Sequence, residues 1–450
     1  MKNTTASHQG FSLVWAMSVI GALFFIFGFV TWLNGFLVPY LRIACELNNF
    51  QSFFVTFAFY ISYVIMAVPS AAILHRTGLR DGMMYGLFLM ALGASLFIPA
   101  AFTRYYLLFL LGLFVMGTGL AILQTASNPY ITLLGSLESS ARRISVMGIC
   151  NKSAGIVATL LFGFIALQNA DEIISKYALL PPLEKAAELD ALAAKVIVPY
   201  IVITLIFAAL GVVIRFARLP EPRTDDSSPE EQDTVLQNQT ERAEFPREEK
   251  TSIFQFPYLI LGVVALFCDV GLEIVAGDSI ISFGLSLGIP LTTARFFTAL
   301  TMVAMICGYS LWIFLIPKYM SQVTGLKGCA MLGITLTLVM FCIKTPAIAI
   351  VLVALMGFAN SLIWPAVWPL AIKGLGRFTA IGSALLIIGN LGGAIVPLAF
   401  GSLLDYTETH SLYPGYSYIV MLPCYAFIAY YAFWGHRITH WRRKKSHEAK

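Results

Sequence analysis

The sequence predicts an all-α polytopic membrane protein with twelve transmembrane helices in two pseudo-symmetric six-helix halves. Three observations support this fold class: an apolar composition, twelve long apolar runs and an internal repeat. Of the 450 residues, 58% are hydrophobic and 12% are charged, and the mean hydropathy is +0.79. Soluble domains carry about 25% charged residues. The composition therefore excludes a soluble enzyme, a nucleic-acid-binding protein and a disordered scaffold. The apolar runs are continuous rather than alternating, which excludes a β-barrel.

A helix needs about 20 mostly apolar residues to cross a bilayer. Twelve runs reach this length, and we number them spans one to twelve in chain order. Their approximate limits are 11–37, 50–74, 82–101, 104–128, 143–167, 196–217, 253–284, 293–317, 326–343, 346–371, 378–402 and 415–435.

A polar, charged segment separates the first six runs from the last six. We therefore expect an N-terminal half at 1–217, a cytoplasmic linker at 218–252, a C-terminal half at 253–436 and a basic cytoplasmic tail at 437–450. The loop 168–195 contains a pattern typical of a short amphipathic helix. The seven cysteines are scattered without a CxxC pair, so they predict neither a disulfide framework nor a metal site.

The basic residues orient the bundle. With an even number of spans, both termini lie on one side, and that side carries 21 of the 29 Lys and Arg residues. The opposite side carries seven, and Lys152 lies inside span five. Cytoplasmic loops of membrane proteins carry the excess of Lys and Arg. The distribution predicts that both termini are cytoplasmic.

Two stretches of the sequence repeat. The spacing from Gly117 to Pro129 equals that from Gly357 to Pro369, at 12 residues. The spacing from 135 to 151 equals that from 374 to 390, at 16 residues, and both intervals run from Gly to Asn. Spans four and five therefore match spans ten and eleven. Two six-helix halves with repeat symmetry are the plan of a major facilitator transporter, in which the substrate lies near the midplane between the halves.

Polar side chains inside spans predict a substrate site, because such groups are costly in lipid and face the bundle interior. Amides offer donors and acceptors that match adjacent sugar hydroxyls, and tryptophan offers a flat apolar face. We therefore predict a site for a small neutral sugar, in a protein that contacts no nucleic acid and acts as a monomer in the bilayer. Hydrogen bonds between helices are the alternative role for these groups. The predicted substrate-binding residues are Asn34, Gln124, Asn128, Asn151, Asn360, Trp364, Trp368 and Asn390.

Charged residues inside spans predict an ion-coupling site. Asp269 and Glu273 are one turn apart on span seven, and Asp278 is half a turn off their face. A buried carboxylate readily carries a proton, so Asp269 and Glu273 are the proposed carriers. Lys152 is either their counter-ion or a side chain that extends toward the cytoplasm. No cofactor is expected apart from the co-transported proton or sodium ion.

Several segments together resemble the bacterial fucose:proton symporter family, and most closely its glucose/galactose transporter branch. They are FFIFGFVTWLNGFLVPYL, ILQTASNPYITLLG, GICNKSAG, VGLEI, WPLAIKGLG and GNLGGAIVP. The resemblance implies a twelve-helix hexose importer driven by a cation gradient. It also implies sugar contacts at Asn34, Gln124, Asn128, Asn151 and Asn390.

Two positions depart from the family pattern. The span-one motif of the family usually reads Asn-Asp, whereas this chain has Asn34-Gly35. The fucose branch has Glu at the position of Gln124, and the span-seven acid of the glucose/galactose branch matches Glu273. Coupling has therefore moved to span seven, or the protein is a uniporter, or sodium replaces the proton.

The sequence thus predicts a secondary transporter, not an enzyme, that imports a neutral hexose of the glucose/galactose type by alternating access with proton coupling. The alternatives are a uniporter or sodium-coupled carrier of a related sugar such as fucose or an N-acetylhexosamine, and a membrane sugar sensor that transports nothing.

Overall fold

The computed structural model describes residues 3–133, 140–166, 181–216, 252–316 and 318–441. Within these ranges, twelve helical segments are long and apolar enough to cross a membrane. Those of the first half are Ile20–Ala44, Asn49–Ala67, Arg80–Thr103, Tyr106–Ser127, Arg143–Phe164 and Glu184–Phe216. Those of the second half are Pro257–Ser286, Leu291–Leu315, Gln322–Cys342, Pro346–Ile372, Ile381–Thr409 and Pro414–Arg437. The predicted all-helical fold class is confirmed.

The helices themselves are longer or more divided than the apolar runs. The first half consists of Asn3–Ala44, Asn49–Ser52, Phe54–Ser95, Phe97–Thr103, Tyr106–Leu133, Ser140–Ala166, Pro182–Ala194 and Ile197–Phe216. The second half consists of Pro257–Ser286, Leu291–Ala294, Phe297–Leu315, Gln322–Cys342, Pro346–Asn360, Ile363–Ile372, Thr379–Ile388, Gly392–Thr409 and Met421–Phe433, with short 3-10 turns between several of them.

The structure bears on the predicted limits of span one, the amphipathic helix and the linker. The apolar stretch Ile20–Ala44 of span one lies within a helix that runs from Asn3 to Ala44. The predicted amphipathic helix is present at Pro182–Ala194 and leads directly into span six. The predicted linker lies outside the described residues except for Ser252, as does the tail from residue 442 onward.

Spans two and three are joined by a turn that depends on glycine. Gly78 has φ 77° and ψ 169°, inside what is otherwise continuous helix from Phe54 to Ser95. Side chains with a Cβ rarely adopt this conformation, whereas glycine does so readily. The turn therefore reverses the chain between two long helices without an extended loop.

Corresponding glycines in the two halves make similar contacts between helices, which supports the repeat. A Cβ on Gly117 of span four would meet the backbone carbonyl of Phe59 in span two. A Cβ on Gly357 of span ten would meet the backbone carbonyl of Thr301 in span eight. Small residues let membrane helices approach closely and gain van der Waals contact. The halves meet where span one packs on span seven, span five on span eight, and span two on span eleven.

Candidate functional site

A buried ion pair joins the two halves near the middle of the bundle. Lys152 of span five pairs with Glu273 of span seven, and Lys152 is only 4% exposed. In this structure Lys152 therefore lies beside Glu273 and does not extend toward the cytoplasm. Charges buried in this way require a partner, because desolvation of an isolated ion costs several kcal/mol.

Trp32 of span one holds this pair in place. Its indole Nε1 donates a hydrogen bond of 2.9 Å to Oδ1 of Asn151. Lys152 Nζ lies 4.1 Å from the centroid of the Trp32 ring, which is cation–π geometry. The ring occupies a slot bounded by Gly155 and Gly277, where any larger side chain would collide with it. One indole thus contacts both a predicted sugar-binding amide and a predicted coupling charge.

Span seven carries two further acids. Asp269 and Asp278 are both fully buried, and none of their carboxylate oxygens has a hydrogen-bond partner among the described residues. Glu273 pairs with Lys152, which is the only cation beside these acids in the described part of the chain. Three acids therefore share one positive charge. Burial in a low-dielectric surrounding favours the neutral form of an unpaired carboxyl group.

Asn34 and Gly35 face this region from span one. Both amide atoms of Asn34 are buried and without a hydrogen-bond partner in the described part of the chain. A Cβ placed on Gly35 would lie 2.7 Å from Oδ1 of Asp278 and 3.3 Å from Oγ1 of Thr298. The glycine therefore brings span one close to an acid of the other half.

Span ten is divided at the predicted site. Its first helix ends at Asn360, and its second begins at Ile363. Oδ1 of Asn360 accepts a 2.7 Å hydrogen bond from the hydroxyl of Tyr425 in span twelve. Trp364 and Trp368 stack on each other with centroids 5.5 Å apart, and only Trp364 is partly exposed. Trp364 is therefore the indole of this pair that can offer a face to a ligand.

The remaining predicted amides differ in their hydrogen bonds and burial. Asn390 lies in the 3-10 turn that interrupts span eleven, and its Nδ2 donates to the carbonyl of Ile387 at 2.9 Å. Gln124 is half-buried in span four. The side chain of Asn128 lies outside the described part of the structure. The structure thus brings Asn151, Lys152 and Glu273 together around Trp32, while the predicted sugar-binding residues other than Asn151 lie on other spans.

Sequence reasoning missed two tyrosines beside the acids. Tyr309 of span eight packs against Gly148, and it is close enough to Glu273 and Asp269 to interact electrostatically. Tyr60 of span two has the same relation to Asp278 and Glu273. No signal in the sequence separates these tyrosines from the many aromatic residues that only fill space between helices.

Comparison with known proteins decides the family. Residues 20–397 match the model of the family described as Major Facilitator Superfamily. The chain belongs to the Major Facilitator Superfamily. The predicted fold and the prediction of a transporter rather than an enzyme are thereby confirmed.

Relatives of this facilitator cover nearly its whole length. It is 31% identical over 440 residues to a glucose/galactose transporter of Brucella abortus biovar 1 (strain 9-941), covering 96% of each chain. It is 28% identical over 404 residues to the L-fucose-proton symporter of Escherichia coli (strain K12), covering 88% of each. A crystal structure of the transporter FucP in the outward conformation matches with a TM-score of 0.68 at 25% identity, covering 94% of this chain and 98% of that one. The predicted resemblance is confirmed.

A polar lock joins the halves of this facilitator at one end. Asp405 of span eleven accepts hydrogen bonds from the backbone N–H groups of Asn49, at 3.1 Å, and Phe50, at 2.8 Å. Glu408 accepts from Nδ2 of Asn49 at 2.9 Å and lies 3.8 Å from Arg42. We call Arg42, Asn49, Phe50, Asp405 and Glu408 the polar lock. The charge distribution predicts that this end is external.

Asp405→Asn is expected to loosen the polar lock. Hydrogen bonds to a charged acceptor contribute about 1.5–3 kcal/mol each, and a carboxylate also interacts favourably with a helix N-terminus. We therefore expect amide hydrogen exchange at Asn49 and Phe50 to become at least about tenfold faster. Hydrogen–deuterium exchange followed by mass spectrometry measures this. Asp190→Asn is the control, because Asp190 pairs with Arg104 elsewhere. Equal exchange in wild type and Asp405→Asn would show that the lock does not hold the halves.

Proposed function

We propose that this facilitator imports a neutral hexose of the glucose/galactose type together with a proton. The observation that carries the proposal is that one indole joins a predicted sugar-binding amide to an ion pair between the two halves. Trp32 touches both Asn151 and Lys152, and Lys152 pairs with Glu273 of the opposite half. A sugar that engages Asn151 therefore acts directly beside the charges that join the halves.

The proposed sugar site lies between the halves. Its residues are Asn34, Gln124, Asn128, Asn151, Asn360, Trp364, Trp368 and Asn390. Asn34 is the strongest donor and acceptor candidate, because both of its amide atoms are unpartnered within the described residues. The breaks in spans ten and eleven place Asn360 and Asn390 at helix interruptions, and transporters of this kind form their sites at such discontinuities.

The proposed coupling site consists of Asp269, Glu273 and Lys152. The proton is a proposed co-substrate, consistent with the relative that is named a fucose-proton symporter. Both termini are proposed to be cytoplasmic, the membrane to be a bacterial inner membrane, and the functional unit to be a monomer. The halves rock about the midplane and expose the site alternately to each side.

Uptake of labelled glucose into proteoliposomes tests this function, with unlabelled galactose, fucose and N-acetylglucosamine as competitors. We expect accumulation above equilibrium only with an imposed inward proton gradient. Equilibration without accumulation would identify a uniporter. Accumulation that requires a sodium gradient would identify a sodium-coupled carrier. Saturable sugar binding without any uptake would identify a sensor.

Asn151→Ala is expected to weaken sugar binding about tenfold or more, because it removes an amide and also leaves the Trp32 indole N–H without its acceptor. The apparent affinity from binding titration and from counterflow measures the change. Thr335→Ala is the control, since Thr335 is an exposed polar residue in span nine. An unchanged affinity in Asn151→Ala would remove Asn151 from the site.

A further inference from the structure

Asp278 is an acid that the proposed coupling site does not include, and its surroundings differ from those of Asp269 and Glu273. A helix turns 100° per residue, so Asp278 faces away from Asp269 on span seven. It lies against span one of the opposite half, where the position of a Cβ on Gly35 would be 2.7 Å from its Oδ1. Asp278 therefore lies at the interface between the two halves.

Among the described residues, none supplies Asp278 with a hydrogen-bond donor. The hydroxyl of Thr298 in span eight donates to the carbonyl of Gly277 at 2.7 Å, so its proton is engaged elsewhere. Both carboxylate oxygens of Asp278 are unpartnered within the described ranges. A carboxylate ion buried without donors is strongly disfavoured relative to the neutral acid.

The charged and titratable groups that act on Asp278 come from three spans. They are Glu273 on the same helix, Lys152 on span five and Tyr60 on span two. Lys152 is paired with Glu273. Its positive charge is therefore largely neutralised and does not hold Asp278 in the ionised form.

Along span seven, Asp278 lies between the polar lock and the ion pair of Lys152 and Glu273. Asp278 lies five residues beyond Glu273, or about 7.5 Å along the helix axis, and eight residues before Ser286, or about 12 Å. The hydroxyl of Ser286 donates to Glu408 of the polar lock. If the polar lock opened, water from the side predicted to be external would therefore reach Asp278 before it reached the ion pair of Lys152 and Glu273.

We propose that Asp278 binds the co-transported proton, and that Gly35 provides the space in which its carboxyl group is held against span one. This inference rests on the proposed proton symport and names the acid that carries the proton. When the predicted external side is open, the carboxylate takes a proton from hydronium, leaving water and a neutral carboxylic acid. When the other side is open, the acid returns the proton to water as hydronium.

Asp278→Asn tests the inference, because the amide resembles the neutral acid in shape and cannot release a proton. We expect the accumulation ratio under an inward proton gradient to fall to about 1, while sugar counterflow, which needs no net proton movement, continues. A pH-sensitive dye trapped inside the vesicles should show that sugar-induced proton entry is lost. Asp190→Asn, at an exposed position, is the control for the same chemical change.

Two further measurements keep the inference testable if Asp278→Asn does not fold. Gly35→Ala places a methyl group against the carboxyl group of Asp278, so proton-driven accumulation should fall more than counterflow. In the wild type, infrared spectroscopy should detect the carbonyl stretch of a buried protonated acid that changes with external pH, and Asp278→Glu should shift this band.

The outcomes separate the inference from the proposed function. If the wild type does not accumulate sugar with a proton gradient, symport itself is wrong. If the wild type accumulates and Asp278→Asn does so equally, Asp278 does not carry the proton. Accumulation that is lost in Asp269→Asn but kept in Asp278→Asn would assign the proton to Asp269. A Gly35→Ala variant with wild-type accumulation would contradict the role of the glycine.

Discussion

Glu273→Gln is expected to abolish gradient-driven accumulation and to lower the unfolding free energy by about 3 kcal/mol. Removing one partner of a buried ion pair typically costs about 3–5 kcal/mol, because the other charge is left uncompensated. We expect the lower end of this range, since Asp269 and Asp278 still attract Lys152. That attraction also explains the transport defect. An unpaired Lys152 would hold Asp278 as a carboxylate and so prevent it from taking up a proton.

A double-mutant cycle with Lys152→Met measures the pair directly. Lys152→Met/Glu273→Gln should recover most of the lost stability, because no charge is then buried without its partner. It should also restore part of the accumulation, because no unpaired Lys152 then holds Asp278 in the ionised form. Unfolding in sodium dodecyl sulfate gives the free energies, and proteoliposome uptake gives the transport. Additive effects, with an interaction energy under about 0.5 kcal/mol, would show that the two side chains do not depend on each other.

Trp32→Ala is expected to lower the unfolding free energy by about 3–5 kcal/mol, the usual cost of truncating a large buried aromatic side chain. Trp32 is fully buried, and Gly155 and Gly277 adjoin its ring, so neither residue has a side chain to fill the space. The change also removes the hydrogen bond to Asn151 and the aromatic face beneath Lys152. Sugar binding and accumulation should therefore be lost together.

Two comparisons separate packing from function. Trp434→Ala is the matched control, because Trp434 is 63% exposed at the end of span twelve. It should change stability by less than about 0.5 kcal/mol, as is usual at surface sites. Trp32→Phe keeps an aromatic ring but loses the indole donor. It should therefore be more stable than Trp32→Ala, but it should bind sugar more weakly than the wild type does. Wild-type affinity in Trp32→Phe would contradict the role given to the hydrogen bond with Asn151.

Much of the architecture could be predicted because membrane crossing imposes a strong and local constraint. Each span must be a helix about 20 residues long, so apolar runs reveal the number of helices and the positions of most of them. The short helix Pro182–Ala194 was recognisable from its own amphipathic pattern.

The candidate site could be predicted only in part. Polar and charged side chains are costly inside a membrane, so amides and charges within apolar runs are candidates for a functional site. Asn151, Lys152 and Glu273 were all recognisable for this reason. Two competing roles remained open for Lys152, because a lysine stem is long enough to reach either the span-seven acids or the cytoplasm. The position of Gly35 appeared only as a departure from a family motif, with no indication that Asp278 lies against it.

Residue types and their spacing along one helix at a time are enough to predict a twelve-helix membrane protein with a repeat and a polar interior. Which residues meet is visible only in the folded protein. There Lys152 pairs with Glu273, Trp32 lies between two glycines of different spans, and Asp278 lies beside Gly35 with no donor among the described residues. These contacts join residues more than a hundred positions apart, and they depend on how rigid helices pack across the two halves rather than on any local pattern.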